Sequence, residues 1–383
     1  MDISNYKNKI SAAKPLFPKK DIDEIQVLVR DVLQSGRLIL GEHTERFEQE
    51  FKSYIGVEHA VAVSSCTAAI QISLRYHQSQ GREIILPTNN FIGVVSAVIE
   101  EGAIPVLADM DPETFCVDTD DLLARITPKT AGVIVVDIAG LVCPDIDHIR
   151  SVCKERGLFL VEDASHAHGA EINGRKAGSL ADVACFSFYP TKIMTTGTGG
   201  MLTTNNAALA EYARSVRHHG IGGSLDDVVN LGSDWCLSEI QAILGRFQLK
   251  RLEENVTHRN RLTARYREGL NHLPWLSIPV CPKNFRHAYY KFPLLLRNDL
   301  DVARFRRILF EEYRIENGAI YYPPCHLQPV LREKFSFHEG MYPKAESVLK
   351  RQFCPPIHST LTEQEVDRVI EAMIEVGRKC GFS

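Results

Sequence analysis

Residues 131–161 read AGVIVVDIAGLVCPDIDHIRSVCKERGLFLV, and this stretch decides the fold. The runs 131–136 and 158–161 are apolar throughout, without the alternation of polar and apolar residues that marks a half-exposed strand. Such runs are typical of strands that are covered on both faces of a sheet. The segment 145–156 between them is long enough for a crossover helix. The stretch therefore predicts two parallel strands joined by a helix.

Five further runs of the same kind lie on either side of this unit. They are 59–64 (HAVAVS), 83–86 (EIIL), 105–108 (PVLA), 182–188 (DVACFSF) and 200–203 (GMLT). Seven buried strands separated by helical patterns predict an α/β fold with a mostly parallel, open sheet flanked by helices.

The 383 residues are enough for one large domain and a smaller one. Ile25, Val29, Val32 and Leu33 mark one helix face before the sheet, and Gly36 stops that helix. The segment 238–256 is predicted as one long helix that ends the large domain. We therefore expect a large domain over residues 1–256 and a smaller α+β domain over 257–383, whose last helix begins at the capping box of Thr362 and Glu365.

Composition and charge exclude several classes of function. Hydrophobic residues make up 44% and charged residues 24%, and the formal net charge is −4. No basic stripe is present to bind a nucleic acid. No apolar run approaches membrane-spanning length, and the first 17 residues lack the apolar core of a signal peptide, so we expect a cytoplasmic protein without a membrane partner.

Other sequence signals are weak or absent. The ten cysteines are scattered and never form CxxC, which favours reduced thiols over disulfides or a metal site. Gly220 and Gly222 begin a GxG pattern, but Leu225 stands where a dinucleotide-binding fingerprint needs a third small residue. Neither GxSxG nor HExxH occurs.

Polar residues gather where ligands bind in parallel sheets, at the carboxyl ends of strands. Asp163 follows LFLVE, Ser187 ends DVACFS, and Lys192 comes five residues later. The sequence Ser64-Ser65-Cys66-Thr67 opens a helix, whose free amides could bind an anion. Singly, these features also fit a helix cap, a turn-capping acid and an exposed loop lysine.

Together they fit pyridoxal phosphate (PLP). This cofactor needs a lysine for its aldehyde, an acid for its pyridinium nitrogen and an anion pocket for its phosphate. Lys192 and Asp163 can supply the first two, and the Ser-Ser-Cys-Thr turn the third. Phe91, after the strand EIILP, can stack on the ring.

Several long strings resemble the DegT-type sugar aminotransferase family, which has the aspartate-aminotransferase-type fold. They are SGRLILGEHTERFEQEF, VEDASHAHGA, FSFYPTK and YYPPCH, spread in the family's order over nearly the whole chain. The resemblance implies a PLP-dependent aminotransferase with pyridoxamine phosphate as the intermediate cofactor form.

The resemblance also implies a role for each matched residue. Lys192 forms the Schiff base with PLP, and Asp163 pairs with the ring nitrogen. His166, in place of a family glutamine, reaches the phenolic oxygen of the ring. The remaining expected contacts are Ser187 with the amides of Cys66 and Thr67 for the phosphate, Phe91 for the ring face, and Trp235, Tyr322 and His326 for the substrate.

Four positions depart from the family pattern. Thr198 replaces the glutamate of GEGG, Asp137 replaces a histidine, and the loop motif GYNYRMS reads GSDWCLS, with Asp234 for asparagine and Cys236 for arginine. A carboxylate repels a phosphate, so Asp234 is expected to turn away. We expect these changes to fall around the substrate and to leave the cofactor contacts intact.

The expected reaction is transfer of an amino group, from L-glutamate by resemblance, to a keto sugar that is nucleotide-linked. The alternatives are a transaminase of a free or phosphorylated ketose or cyclitol, and a PLP-binding regulatory homologue. In relatives the loop 220–238 crosses to a second subunit, so we expect a homodimer with shared active sites and Trp235 as a shared wall or an interface residue.

Overall fold

The computed structural model describes residues 8–297 and 300–382, so the first seven residues of the expected large domain lie outside it. The helices are α1 (Lys19–Ser35), α2 (Glu42–Ile55), α3 (Cys66–Tyr76), α4 (Ile92–Glu100), α5 (Thr119–Ala124), α6 (Ile146–Arg156), α7 (Ala207–Val216), α8 (Glu239–Lys250), α9 (Leu252–Leu270), α10 (Val302–Glu311), α11 (Pro329–Phe335), α12 (Pro343–Leu349) and α13 (Glu363–Lys379). The strands are β1 (His59–Val63), β2 (Glu83–Pro87), β3 (Ile104–Ala108), β4 (Thr130–Val136), β5 (Phe159–Asp163), β6 (Glu171–Ile172), β7 (Arg175–Lys176), β8 (Val183–Ser187), β9 (Gly200–Thr204), β10 (Leu276–Ser277), β11 (Phe285–Arg286), β12 (Leu294–Leu296) and β13 (Gln352–Phe353).

A seven-stranded sheet forms the centre of the molecule, in the order β1-β9-β8-β5-β4-β2-β3. Strand β9 runs antiparallel to both of its neighbours, whereas β8, β5, β4, β2 and β3 pair in parallel. All seven predicted strands are present within two residues of their expected ends, which confirms the predicted fold class. Two small three-stranded sheets, β10-β12-β13 and β11-β6-β7, lie outside it.

The stretch 131–161 forms the predicted strand–helix–strand unit. Every residue of β4 and β5 is buried, as the unbroken apolar runs require. Helix α6 connects the strands and buries Ile146, Ile149 and Cys153 against the sheet. It ends at Gly157, whose φ of 65° lies in the left-handed region that glycine adopts without a steric cost.

The predicted helix 238–256 is two helices. The chain turns at Arg251, which separates α8 from α9. Leu252 and Val256 pack into the core around the large sheet. Leu262 and Tyr266, further along α9, pack into a second core formed by C-terminal residues and Ile10. The proposed domain boundary at 256/257 thus falls inside a helix that contributes to both cores.

Two other predicted helices are present with their predicted ends. Helix α1 stops at Gly36, which has a φ of 69°, and buries Ile25 and Val32, although Leu33 is 59% exposed. Helix α13 begins with the reciprocal bonds between Thr362 and Glu365 that define a capping box. Across the described residues, no helix combines the length and the apolar character needed to cross a membrane.

Candidate active site

A pocket of about 350 Å³ lies where β4, β5 and β8 end and α3 begins. Its wall contains the terminal residues of those strands, Val136, Asp163 and Ser187. The structure also brings these expected site residues to the same wall: Cys66, Thr67, Phe91, His166 and Lys192. Residues that are more than 120 positions apart therefore share one cavity because parallel strands end at a common edge.

Asp163 provides a buried carboxylate at the floor of the pocket. It is 3% exposed, and its Oδ1 accepts a hydrogen bond from the Ser165 backbone N–H at 3.0 Å. Burial raises the pKa of Asp163, although the bonds from Ser165 oppose that effect. Within the described residues no lysine or arginine forms an ion pair with this carboxylate. A protonated ring nitrogen would supply the missing positive charge, so the residue fits the cofactor acid that PLP requires.

The first turn of α3 provides an anion site. Ser65 is the N-cap and accepts a hydrogen bond from the Ala68 backbone N–H at 3.1 Å. The amides of Cys66 and Thr67 come next, in the turn whose N–H groups have no acceptor within the helix. Both residues line the pocket together with Ser187, and the positive end of the helix dipole favours a phosphate there.

The loop between β8 and β9 carries Lys192. The Lys192 backbone N–H donates to the Tyr189 carbonyl at 2.9 Å, and the loop closes where the Phe188 N–H donates to the Gly199 carbonyl at 2.8 Å. The Lys192 ammonium lies 4.6 Å from the centre of the Tyr290 ring. A cation over an aromatic face is held by the ring quadrupole, so Tyr290 orients the amine within the pocket.

His166 is held in one tautomer. Its Nδ1 accepts the Ala139 backbone N–H at 3.3 Å, and its Nε2 lies 2.7 Å from the Tyr321 hydroxyl. Burial lowers the pKa of His166 well below its usual range, so the ring is neutral. Since Nδ1 is an acceptor, the single ring proton sits on Nε2 and is donated to Tyr321. The Tyr321 hydroxyl proton is therefore free to point toward the pocket.

Three tyrosines of the pocket wall, Tyr189, Tyr290 and Tyr321, were not among the predicted site residues. Tyr290 and Tyr321 stand in Tyr-Tyr pairs, at 289–290 and 321–322. The pairs were a usable signal for an aromatic wall. Sequence alone does not say which member of each pair faces inward.

Three expected substrate contacts lie elsewhere in the structure. Tyr322 is 57% exposed and outside the pocket wall. His326 is also outside the pocket wall, and its imidazole is fully buried, with Nδ1 2.8 Å from Thr88 Oγ1 and Nε2 2.9 Å from Glu346 Oε1. Both ring nitrogens are thereby occupied within the protein.

Trp235 contacts its own subunit and is not part of the wall of that subunit's pocket. Its ring lies 4.6 Å from the Arg75 guanidinium, and its carbonyl accepts the Ser64 N–H at 2.8 Å. Asp234 is exposed and outside the pocket wall, as expected from its charge. The Cys236 thiol donates to the Arg217 carbonyl at 3.3 Å.

The other two departures from the family pattern differ in their positions. Thr198 lines the pocket beside Gly199. Asp137 does not fall around the substrate as expected, since it is fully buried behind the pocket and accepts the Cys143 N–H at 2.9 Å. Its neighbour there is the carboxyl of Glu162, which is also fully buried.

The described residues contain no group of three or more His, Cys, Asp or Glu side chains arranged to hold a metal ion. The polar groups of the pocket are instead one amine, one carboxylate, one imidazole, one thiol and hydroxyl or amide donors.

Comparison with known proteins matches this arrangement. Residues 19–374 match the model of the DegT/DnrJ/EryC1/StrS aminotransferase family. The chain is 34% identical to the spore coat polysaccharide biosynthesis protein SpsC of Bacillus subtilis, over 94% of this chain and 95% of that one. It is also 34% identical to the dTDP-3-amino-3,4,6-trideoxy-alpha-D-glucose transaminase of Micromonospora megalomicea, over 91% and 93% of the two chains.

A solved structure extends the likeness to the whole fold. Spr1654 from Streptococcus pneumoniae in its PLP form superimposes with a TM-score of 0.90 at 26% identity, over 97% of this chain and 100% of that one. With the pocket and the matched range, these similarities settle the family: the chain belongs to the DegT/DnrJ/EryC1/StrS aminotransferases and is a PLP-dependent sugar aminotransferase.

Proposed function

We propose that the enzyme transfers an amino group from L-glutamate to a nucleotide-linked keto sugar, with PLP held in the pocket described above. The observation that carries the proposal is the meeting of three groups in one cavity: the Lys192 amine, the unpaired Asp163 carboxylate and the first turn of α3. An aldehyde, a pyridinium nitrogen and a phosphate require those three groups.

Lys192 and Asp163 would have different roles in the reaction. Bound PLP supplies an aldehyde for the exchange of amino groups and a ring that accepts electrons. Lys192 would hold the cofactor and then carry a proton between the substrate carbon and the cofactor carbon, as a general base must lie within reach of both. Asp163 would keep the proton on the ring nitrogen by favouring its positive charge.

Six further residues would position the cofactor. The amides of Cys66 and Thr67, with the Ser187 hydroxyl, would bind the phosphate at the end of α3. Phe91 lies on the rim of the pocket, with its ring centre 5.9 Å from that of Tyr321, and would stack on the cofactor ring. The Tyr321 hydroxyl, held by His166, would donate to the phenolic oxygen of the cofactor ring.

A nucleotide-linked substrate is supported by the relatives, and L-glutamate by the family resemblance. The Micromonospora relative is named as a transaminase of a dTDP-linked amino sugar. The pocket here has about 350 Å³, enough for cofactor ring and sugar, while a nucleotide would extend beyond it.

The surface supports a homodimer in which each subunit completes the other's site. Residues 218–234 form a hairpin, held by bridges between His218 and Asp234 and between Ile221 and Val228. Leu231 is 92% exposed and Leu225 is 76% exposed on this hairpin. Large apolar side chains so exposed are typical of a surface that another protein covers.

The proposal is tested with the PLP-loaded protein and two substrates in turn. L-Glutamate should bleach the cofactor absorbance. From a panel of nucleotide keto-sugars, the true substrate should restore it and become an amino sugar, with its carbonyl oxygen replaced by an amino group and a hydrogen. The variant Lys192→Ala should bind PLP without either change. Failure of every amino acid to bleach the wild type would contradict the proposed reaction.

A further inference from the structure

A second, smaller chamber adjoins the cofactor pocket. It has a volume of about 140 Å³ and shares two residues, Thr191 and Tyr290, with the pocket wall. The hydroxyls of these two residues are 2.9 Å apart and exposed, so the two cavities meet across this hydrogen bond. The rest of the chamber is built from the N-terminal segment at Ala12 and from small or apolar residues of the C-terminal part.

Lys291 is the one charged side chain among the residues that line the chamber. Its ammonium is half-buried, donates to the Ala319 carbonyl at 2.7 Å and lies 5.8 Å from the centre of the Tyr290 ring. An ammonium has three N–H donors, so two remain for another acceptor. In the part of the chain that the structure describes, no carboxylate pairs with it.

The size and charge of the chamber restrict its ligand. A volume of 140 Å³ equals that of roughly four or five liquid waters, at about 30 Å³ each. A nucleotide does not fit, whereas a carboxylate with one or two methylene groups does. A half-buried cation without a carboxylate partner favours an anionic ligand, because the ligand supplies the charge that the protein lacks.

The chamber also lies at a suitable place for one end of an amino donor. The Lys192 and Lys291 ammonium groups lie 4.6 and 5.8 Å from the centre of the same Tyr290 ring. A donor whose amine occupies the Lys192 region can extend its other end past the Tyr290 hydroxyl. The carboxylate that reaches Lys291 is then the one furthest from the amine.

We infer that Lys291 binds the side-chain carboxylate of a dicarboxylic amino donor, and that Thr191 and Tyr290 form the passage to it. This rests on the proposed function, since it assigns a subsite to that reaction. It makes Lys291 a specificity-determining residue for the donor. Chemically the subsite selects a five-carbon dicarboxylate over a monocarboxylate of the same length.

Binding of non-reacting analogues tests the subsite directly. Glutarate and pentanoate, which share a five-carbon chain, are titrated calorimetrically into the PLP-loaded wild type and Lys291→Met, which keeps the stem and removes the charge. The variant should bind glutarate about 10- to 100-fold more weakly, the range for one charge-assisted hydrogen bond, and pentanoate within about threefold. Lys291→Arg should retain part of the glutarate affinity, and the exposed Lys154→Met should behave as the wild type.

Two results would overturn the inference. One is a wild type that binds glutarate no better than pentanoate. The other is a Lys291→Met variant that weakens both ligands equally or neither, which would leave Lys291 as a structural contact to Ala319.

The rate of cofactor bleaching separates this inference from the proposed function. With L-glutamate, Lys291→Met should be slowed by the same factor as its loss of glutarate affinity, and with L-norvaline it should be unchanged. A wild type that bleaches with no amino acid contradicts the proposed function, while the glutarate comparison still reports on the subsite.

Discussion

The surroundings of Asp163 explain the orientation of its carboxylate, whereas its proposed role in catalysis requires the bound cofactor. Two donors orient its Oδ1, the Ser165 backbone N–H at 3.0 Å and the Cys66 thiol at 3.7 Å. The Ser165 hydroxyl in turn donates to the Cys66 sulfur at 3.0 Å. Burial nevertheless raises its pKa, because water is excluded, although the bonds from Ser165 and the charge of Lys192 oppose that effect. A protonated pyridine nitrogen would reverse that shift and hold the carboxylate ionised.

Asp163→Asn should therefore separate catalysis from cofactor binding. An amide cannot favour a positive ring nitrogen, and the opposite-charge effect amounts to one to three pKa units, roughly 10- to 1000-fold in rate. The PLP content should change less than threefold, since the phosphate site is untouched. Turnover and bound PLP are measured on the same preparation, and near-normal turnover would remove Asp163 from this role.

At the scale of single residues, motif strings locate the site better than they assign its contacts. The string YYPPCH marks a segment near the pocket, but Tyr321 enters the wall and Tyr322 faces solvent. Successive side chains of an extended chain point to opposite sides, and one residue of offset reverses the assignment. His326, in the same string, lies outside the pocket wall and bonds to Thr88 and to Glu346 of α12.

At the scale of elements, the ends of β4 and β5 place two carboxyl groups side by side. Asp137 follows β4 and Glu162 lies within β5, and both are fully buried. Burial raises the pKa of Glu162 to about 7, and burial with repulsion from Glu162 raises that of Asp137 well above its usual range. Glu162 accepts two backbone N–H groups, from Gly178 at 2.7 Å and Leu180 at 3.1 Å, so Asp137 holds the shared proton.

This pair predicts a loss of stability at high pH. A carboxyl whose folded-state pKa is raised contributes its full stability at low pH, below its unfolded value, and loses it as pH rises through the folded value. The melting temperature of the wild type should fall as pH rises from about 4.5, the ordinary pKa of a glutamate, through about 7, by roughly 2 °C per kcal/mol lost. Asp137→Asn, which can still donate to Glu162, should flatten that fall.

The exposed variant Asp23→Asn serves as the control for charge and should follow the wild type across the same range. If Asp137→Asn and the wild type show parallel pH profiles, the two carboxyls do not share a buried proton.

Helices and strands are predicted well from the sequence where the residue pattern fits only one kind of element. Unbroken apolar runs identified β4 and β5 because a strand covered on both faces needs no polar residues. The turn at Arg251 could not be predicted from the sequence, because α8 and α9 carry the same helical pattern on either side of it. The break depends on packing against two cores.

At the scale of the whole molecule, the exposed hairpin 218–234 is the surface on which the proposed homodimer depends. Its Gly220 has a φ of 81°, and an added Cβ would lie 1.8 Å from the Asn230 carbonyl, so the two arms meet backbone to backbone. We expect sedimentation analysis to give twice the chain mass of 43.0 kDa. Aspartate at both Leu225 and Leu231 should lower that value toward the monomer, because it would bury charge at the interface.

Shared sites are tested by complementation. Lys192→Ala and a second variant with residues 225–229 replaced by glycines should each be nearly inactive. Mixed dimers contain one site with an intact lysine and an intact hairpin, so activity should partly return on subunit exchange. Mixed dimers that co-purify by two tags and remain inactive would show that each subunit works with its own residues only.

The assignment of Lys192 is tested most directly by borohydride reduction of the PLP-loaded enzyme followed by peptide mapping. We predict that reduction fixes the cofactor on the peptide containing Lys192, and that prior addition of L-glutamate reduces the label. Cofactor fixed on Lys291 or on any other lysine would contradict the account of the site.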